Sequence, residues 1–313
     1  MRIGVECQPQ GILAWMQKSL AIVGAGRVGR ALGRALHERG WNILVVATRS
    51  ETTAGKAVKF IRAGRAFAGI THHALAAKTI LVTVADDTIP EAAAELARVG
   101  GGQLRGKIVL HTSGACDAGA LKAVRDCGAF AGSMHPLQTF NGLSVPPLEG
   151  KIFAIEGELP AVRMARGIAR SLGGVPVNIS AEKKPLYHAA GAFAAGLVLA
   201  MEETGVQMLK TAGLPQREAL EALLSLTRQV LEHYEKLGAH KAWTGPLSRG
   251  DYRVVAAHEE ALAQWQPEFL EAYQAVSRLS AHVLAGDPAA VLEKLEKLPR
   301  HITALVKSKG GSA

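Results

Sequence analysis

Five short stretches hold the residues able to do chemistry. GAGRVG sets Gly24, Gly26 and Gly29 in a GxGxxG spacing. ATRS ends an apolar run with Arg49 and Ser50. HTSGA opens with His111, Thr112 and Ser113, and HPLQ puts a titratable ring, a rigid turn and an amide at 135–138. KPLYH spaces Lys184, Tyr187 and His188 at i, i+3 and i+4, so one helical face carries all three. A phosphate cradle beside proton-transfer groups is what hydride exchange with a nicotinamide requires.

The glycine stretch follows an apolar strand, SLAIV, and opens a helix with Val28, Ala31, Leu32, Ala35 and Leu36 on one face. Gly24 permits the tight turn, Gly26 lets backbone approach a pyrophosphate, and Gly29 lets helix pack on strand. The amides of Ala25, Arg27 and Val28 stand at the helix N-terminus, where phosphate binds. A glycine-rich turn without a ligand is the plain alternative. NAD-binding folds usually end the next strand with an acid that holds the ribose; here Thr48-Arg49-Ser50 stands instead. An arginine fork suits a 2′-phosphate, with Ser50 adding a hydrogen bond, so NADP(H) is the expected cofactor.

Those residues need elements to hold them. Apolar runs predict strands at 19–23, 41–50, 79–85, 107–113, 129–133, 151–157 and 175–180, with helices between several of them, notably 89–99, 117–127 and 160–172. That alternation means an α/β fold with a mostly parallel, doubly wound sheet. After Ser180 the pattern turns helical, at about 182–212, 215–237, 251–263, 266–285 and 288–307. The expected domains are an N-terminal extension (1–18), a Rossmann domain (19–180), a helical domain (181–307) and a short tail (308–313).

Composition narrows the class. The 313 residues are 48% hydrophobic and 20% charged, a globular balance. Cys7, Cys116 and Cys127 make no metal spacing, and no metal is expected. They suit a reducing cytoplasm, and residues 1–18 do not read as a signal peptide. No stretch is read as a membrane span; HAAGAFAAGLVLAM (188–201) is read as a buried core or interface helix. The net charge of +9 is mostly N-terminal, with 17 Lys/Arg against 10 Asp/Glu in residues 1–150 and 19 against 17 beyond. A phosphorylated cofactor explains it as well as nucleic acid does, and no aromatic-plus-basic module appears.

HTSGA, HPLQTF, FAIEG (153–157), KPLYHAA (184–190) and TGPLSRGD (244–251), behind GAGRVG and ATRS, resemble one family over about residues 19–285. It is the Rossmann-like oxidoreductases with a C-terminal helical domain of unknown function. Its relatives include 6-phosphogluconate dehydrogenase-like enzymes, pyrroline-5-carboxylate reductase and prephenate dehydrogenase. The resemblance implies an all-α C-terminal domain like that of 6-phosphogluconate dehydrogenase, dimerisation through it, and an active site between the domains. Two departures stand out. Ala85 replaces a common proline, and Ala195-Gly196 replaces a common Ser-Asn, so an amide that would touch nicotinamide or substrate is missing.

Ligands in open α/β sheets lie beyond the carboxyl ends of the strands. That places Gly24–Gly29, Ala85–Thr88, His111–Gly114 and Ser133–Gln138 at the site. Ala85, Asp86 and Thr112 are expected at the cofactor, with Asp87 or Thr88 capping a helix. Ser113, His135, Lys184 and His188 are the catalytic candidates; His111, Gln138 and Arg249 are candidate substrate contacts. The resemblance implies general-acid work for Lys184 and a substrate-side place for the His135-Pro136 pair. Each has a structural alternative: a buried histidine, a turn histidine, an exposed helix-start lysine. Arg249 and Asp251 form a candidate pair and helix cap, with His258 near them. The reading is an NADP(H)-dependent oxidoreductase, homodimeric, acting at a C–O or C–N bond of a small carboxylate-bearing substrate. A non-catalytic NADP(H) sensor is the alternative.

Overall fold

Strand β1 (Ser19–Val23) shows how this sequence builds its core. All five residues are buried; Leu20 and Ile22 face one apolar layer, Ala21 and Val23 the other. A strand buried on both faces belongs to a sheet covered by helices on both sides. In the computed structural model, which describes residues 18–298, the other strands are β2 (Asn42–Thr48), β3 (Arg65–Ala68), β4 (Thr79–Val82), β5 (Ile108–His111), β6 (Phe130–Pro136), β7 (Ile152–Gly157) and β8 (Val175–Asn178). Apart from Lys18, the proposed extension and tail lie outside the described residues.

The sheet order is β3-β2-β1-β4-β5-β6-β7-β8. Every neighbouring pair is parallel except β6 with β7. The longer helices over the sheet are α1 (Arg27–Glu38), α2 (Glu51–Ile61), α3 (Ile89–Gly100) and α4 (Leu159–Ser171). Leu32 and Leu36 of α1, Ile61 of α2 and Ile168 of α4 fill one layer; Ile89, Ala93 and Leu96 of α3 fill the other. The expected α/β class is therefore present, with one strand more than the apolar runs indicated. β3 is a four-residue edge strand, RAFA, with no fully buried residue, so it carries no apolar run.

β6 also runs further than expected. The sequence ends it near Ser133, but the strand continues to Pro136 because antiparallel β7 lies beside it, pairing His135 with Ala154 and Pro136 with Phe153. β5 stops opposite Ser133, so Pro136 needs no partner on that side. The expected caps differ too. Neither Asp87 nor Thr88 caps α3 through its side chain; the Thr88 hydroxyl donates to the Ala85 carbonyl at 2.8 Å instead.

The chain divides into two compact units between Ala195 and Gly196. The sequence placed the division at 180/181. Helix α5 (Lys184–Ala192) thus belongs with the sheet. A π-helical turn, Phe193–Leu197, contains the Ala195-Gly196 departure. The second unit holds α6 (Val198–Thr211), α7 (Gln216–Leu237), α8 (Tyr252–Trp265), α9 (Pro267–Leu284) and α10 (Pro288–Glu296). The sequence ran the last helix to 307; residues beyond 298 lie outside the described ones.

The helical run Ala181–Thr211 corrects the core half of the expected core or interface helix. By length and composition it is apolar enough to cross a membrane, and only 6% of its most apolar window is buried. Leu186, Phe193 and Leu199 are exposed, so it is not a buried core helix.

Candidate active site

The glycine turn has the geometry that its spacing implies. Gly24 has φ +80°, and a Cβ there would lie 2.5 Å from Val84 Cγ1. A Cβ on Gly29 would collide with the Thr83 hydroxyl and stand 2.5 Å from the Gly24 carbonyl oxygen. Gly26 differs: a Cβ there meets nothing within 4 Å, so its backbone borders open space. That space is a cavity of about 760 Å³ lined by Gly24, Ala25, Gly26, Arg49, Ser50 and Ala85, among others. Arg49 is exposed and has no paired acid among the described residues. Ser50 is already engaged: it caps α2, accepting from the Thr53 amide at 3.3 Å and donating to the Thr53 hydroxyl at 2.9 Å. The same exposed residue lines the cavity.

A second cavity, of about 380 Å³, shares Gly26 and Thr83–Ala85 with the first. Arg27, Val28, Asp86, Thr112, Ser113, Gly114, His135, Gln138 and His188 complete much of its wall. The expected cofactor residues thus split: Gly24, Ala25, Arg49 and Ser50 face the larger space, Arg27, Val28, Asp86 and Thr112 the smaller. Gly26 and Ala85 border both, and Gly29 is buried packing.

His135 is the best-placed titratable ring. Its Nδ1 lies 2.9 Å from the Tyr187 hydroxyl, and its edge meets both Tyr187 and His188 in T-shaped contacts. Nε2 has no hydrogen-bond partner among the described residues and faces Gly114. A Cβ on Gly114 would come within 2.6 Å of His188 Cδ2 and 2.9 Å of His135 Nε2, so only glycine leaves both rings in place. Burial, then His188 and Lys184, hold His135 down to about 4, so it is neutral near pH 7. Burial pushes the Tyr187 phenol up to about 12. Tyr187 shares a face with two expected candidates, and that spacing was its sequence signal; its role emerges only with His135 beside it.

Lys184 is not in the cavity. Its side chain is 1% exposed, and Nζ donates to Ser133 Oγ at 2.5 Å and the Ser113 carbonyl at 3.1 Å. Burial lowers its pKa, with Glu156 opposing most strongly. Glu156 stands opposite Ser133 across β6–β7, and its buried Oε1 has no hydrogen-bond partner. Burial raises this carboxyl, against Lys184 and the Ala118 amide. Ser133 and Glu156 were missed because each reads as an ordinary strand position. General-acid work expected of Lys184 is thus replaced by support of the segment leaving β5 and the middle of β6.

Two expected contacts, His111 and Gln138, are corrected likewise. His111 is wholly buried; Nδ1 accepts from the Ser113 amide at 3.2 Å, which leaves Nε2–H to donate to the Asp117 carbonyl at 2.9 Å. Burial lowers it to about 4, so it is a neutral structural ring with no nitrogen left for substrate. Gln138 donates to the Pro147 carbonyl at 3.0 Å and accepts from the Thr139 amide at 2.8 Å, so its amide organises its own loop. Arg249 lies in the second unit, paired with Asp251 at 2.9 Å. Asp251 does not cap α8 through its side chain, and His258 bonds Tyr273 at 3.0 Å rather than that pair. Ser113 does line the cavity. Its hydroxyl donates to Asp86 Oδ2 at 2.8 Å and accepts from the amides of Ala115 and Cys116. Among the described residues no group of three or more His, Cys, Asp or Glu forms a metal site.

Comparisons with known proteins fit this geometry. No curated protein matches the chain. Among solved structures it is similar to a Bacteroides fragilis protein named as a candidate NADP oxidoreductase, at 22% identity and TM-score 0.70, over 84% of this chain and 98% of that one. It is also similar to a reductive aminase from Aspergillus terreus in complex with NADPH and ethyl-5-oxohexanoate, at 17% and 0.65, over 88% and 98%. A third is Plasmodium falciparum pyrroline carboxylate reductase with NADP bound, at 12% and 0.54, over 83% and 96%. At these identities the likeness is one of fold. Two family models match in tandem, a Rossmann-like domain over 8–136 and domain of unknown function DUF2520 over 151–280. The first contributes Gly24 to His135 and the second Glu156 to His188, so the chain is a Rossmann-like domain followed by a DUF2520 domain.

Proposed function

We propose that this protein is an NADP(H)-dependent oxidoreductase that exchanges a hydride with a small substrate at a C–O or C–N bond. The observation that carries this is the wall shared by two cavities: the glycine turn and Arg49 face one side, His135 and His188 the other. The residues present fit the cofactor. Gly26 leaves room for a pyrophosphate, α1 offers its N-terminal amides, and Arg49 stands free at the end of β2 for a 2′-phosphate. Two structural neighbours are named with NADP or NADPH bound.

When bound, the nicotinamide supplies or takes the hydride. The chain does the rest. His135 stands in the cavity wall with Nε2 unpartnered among the described residues and so able to exchange a proton, and Tyr187 bonds the ring at Nδ1. Ser113, tied to Asp86, shapes the floor of the cavity. A sensor would lack a proton-transfer group in the cavity wall; His135 and His188 stand there, which favours catalysis. We also infer a homodimer formed through the exposed apolar helices.

The deciding experiment is titration of NADPH and NADH fluorescence against the wild type and Arg49→Asp. Tight NADPH binding that weakens much more than NADH binding in the variant supports the reading. Equal loss of both removes the role of Arg49, and no binding of either overturns the function.

A further inference from the structure

The smaller cavity has an electrostatic bias that the expected carboxylate-bearing substrate does not explain. Lys184 and Arg249 were the cations available to such a group. The first is buried beneath Ser113 and Ser133, and the second is not among the residues that line this cavity. Of the residues lining the cavity, Arg27 is the one permanent cation and Asp86 the one carboxylate. Arg27 begins α1, directly after the glycine turn, where a dinucleotide's phosphates would neutralise it. Asp86 starts the helical turn after β4 and is half-buried. Its Oδ2 accepts from Ser113, while Oδ1 has no hydrogen-bond partner among the described residues. A half-buried carboxylate with a free oxygen in a cavity attracts a cation more strongly than it would in water.

We propose that the smaller cavity takes a small substrate bearing a cationic C=N group, an iminium, or the amine it becomes, and that Asp86 is the residue that selects it. This rests on the oxidoreductase reading above. The chemistry balances. A C–H bond of the reduced nicotinamide breaks and its electron pair goes with the hydride to the iminium carbon. A new C–H bond forms there, and the C=N π pair moves onto nitrogen to give a neutral amine. The nicotinamide is left oxidised, and the amine takes a proton from solvent. A carbonyl would need a proton delivered as it is reduced, whereas an iminium arrives with its own. The neutral His135 ring fits this, because an imidazolium there would repel the cation.

The test is calorimetric binding of three five-membered probes, pyrrolidinium, cyclopentanol and cyclopentanecarboxylate, to the full-length protein saturated with NADP⁺ and again without nucleotide. The expected order puts pyrrolidinium first. Asp86→Asn weakens it about tenfold, the effect of one partly desolvated charge pair, and leaves cyclopentanol unchanged. Ser113→Ala removes the hydrogen bond but keeps the charge, so the cation preference survives. Tighter carboxylate binding, equal binding of all three, binding of none, or an unchanged preference in Asp86→Asn would each overturn the proposal. Should Asp86→Asn not fold, Asp86→Ser takes its place, with the same loss of the cation preference expected. Failure of NADP⁺ to bind is a separate result: it removes the oxidoreductase reading, while the nucleotide-free titration still reads the charge selectivity.

Discussion

The Lys184 ammonium donates to the Ser133 hydroxyl across 2.5 Å, joining the first turn of α5 to the middle of β6. Its second bond, to the Ser113 carbonyl, adds the segment that leaves β5. This lysine thus ties together the elements that carry Ser113, His135 and Tyr187. It acts through them, without reaching the cavity itself.

Lys184→Met therefore acts first on stability. It removes the Lys184 hydrogen bonds to Ser133 and the Ser113 carbonyl, which keep only their own 3.3 Å bond to each other, and takes the cation away from the buried Glu156 carboxyl. Unpaired buried groups cost about 1–3 kcal/mol. Urea unfolding of the variant should show a loss of that order. A lysine that delivered the proton would instead leave the unfolding midpoint in place and flatten the pH profile of NADPH oxidation.

Acid should weaken the fold between about pH 6.5 and pH 4. Burial lowers His111 and His135 from 6.5 to about 4. Across that window the unfolded chain binds protons that the folded chain refuses, so stability falls as pH falls. Each ring contributes up to about 1.4 kcal/mol per pH unit. Above pH 6.5 both are neutral in either state and the effect is absent. Thermal melts from pH 4 to pH 8 check this, and His135→Gln should remove about half of the slope. A flat melting temperature across the window would contradict the buried, neutral rings.

The glycine turn was legible because its requirements are local. Three glycines, a preceding apolar strand and a following amphipathic face lie within one stretch of chain, and the structure gives Gly24, Gly26 and Gly29 the expected distinct environments. The polar site was only half legible. Periodicity placed Lys184, Tyr187 and His188 on one face, but whether Lys184 faces a cavity or a carbonyl depends on where β5 and β6 end. That in turn depends on β7 pairing antiparallel, which holds β6 to Pro136. Ser133 and Glu156 gain their meaning from the same long-range register. His111 and Gln138 misled because a polar residue at a strand end looks alike whether its partner is a ligand or the protein's own backbone.

The two inner glycines should separate fold from binding. Gly29→Ala puts a methyl against Thr83 and the Gly24 carbonyl, both fixed in the sheet unit. Overpacking of this kind costs about 1–3 kcal/mol. Gly26→Ala meets no protein atom, and its φ of −70° lies outside the left-handed region. It should melt like the wild type yet bind NADPH at least about tenfold more weakly, since the methyl fills the space for the pyrophosphate. Thermal melts and nucleotide titration on the two variants are sufficient. Normal nucleotide affinity in Gly26→Ala would mean that the open space beside it holds no phosphate.

The exposed helices make the last prediction. Leu199 is 70% exposed, Leu226 58% and Leu231 57%. Few large side chains are buried in the second unit, Val206, Val255, Leu262 and Leu270 among them, so much of its apolar surface faces outward. Large apolar side chains exposed on neighbouring helices of one unit are the material of an interface. In the homodimer inferred above, Leu199→Glu places a charge where apolar contact is required, which costs several kcal/mol and weakens association on the order of a hundredfold. Light scattering coupled to size exclusion should find a wild-type dimer and a variant monomer at the same micromolar loading. Because the run Ala181–Thr211 is also apolar enough to enter a bilayer, flotation with phosphatidylcholine vesicles belongs beside it. A wild-type monomer that floats with vesicles would assign the apolar face to lipid and remove the dimer.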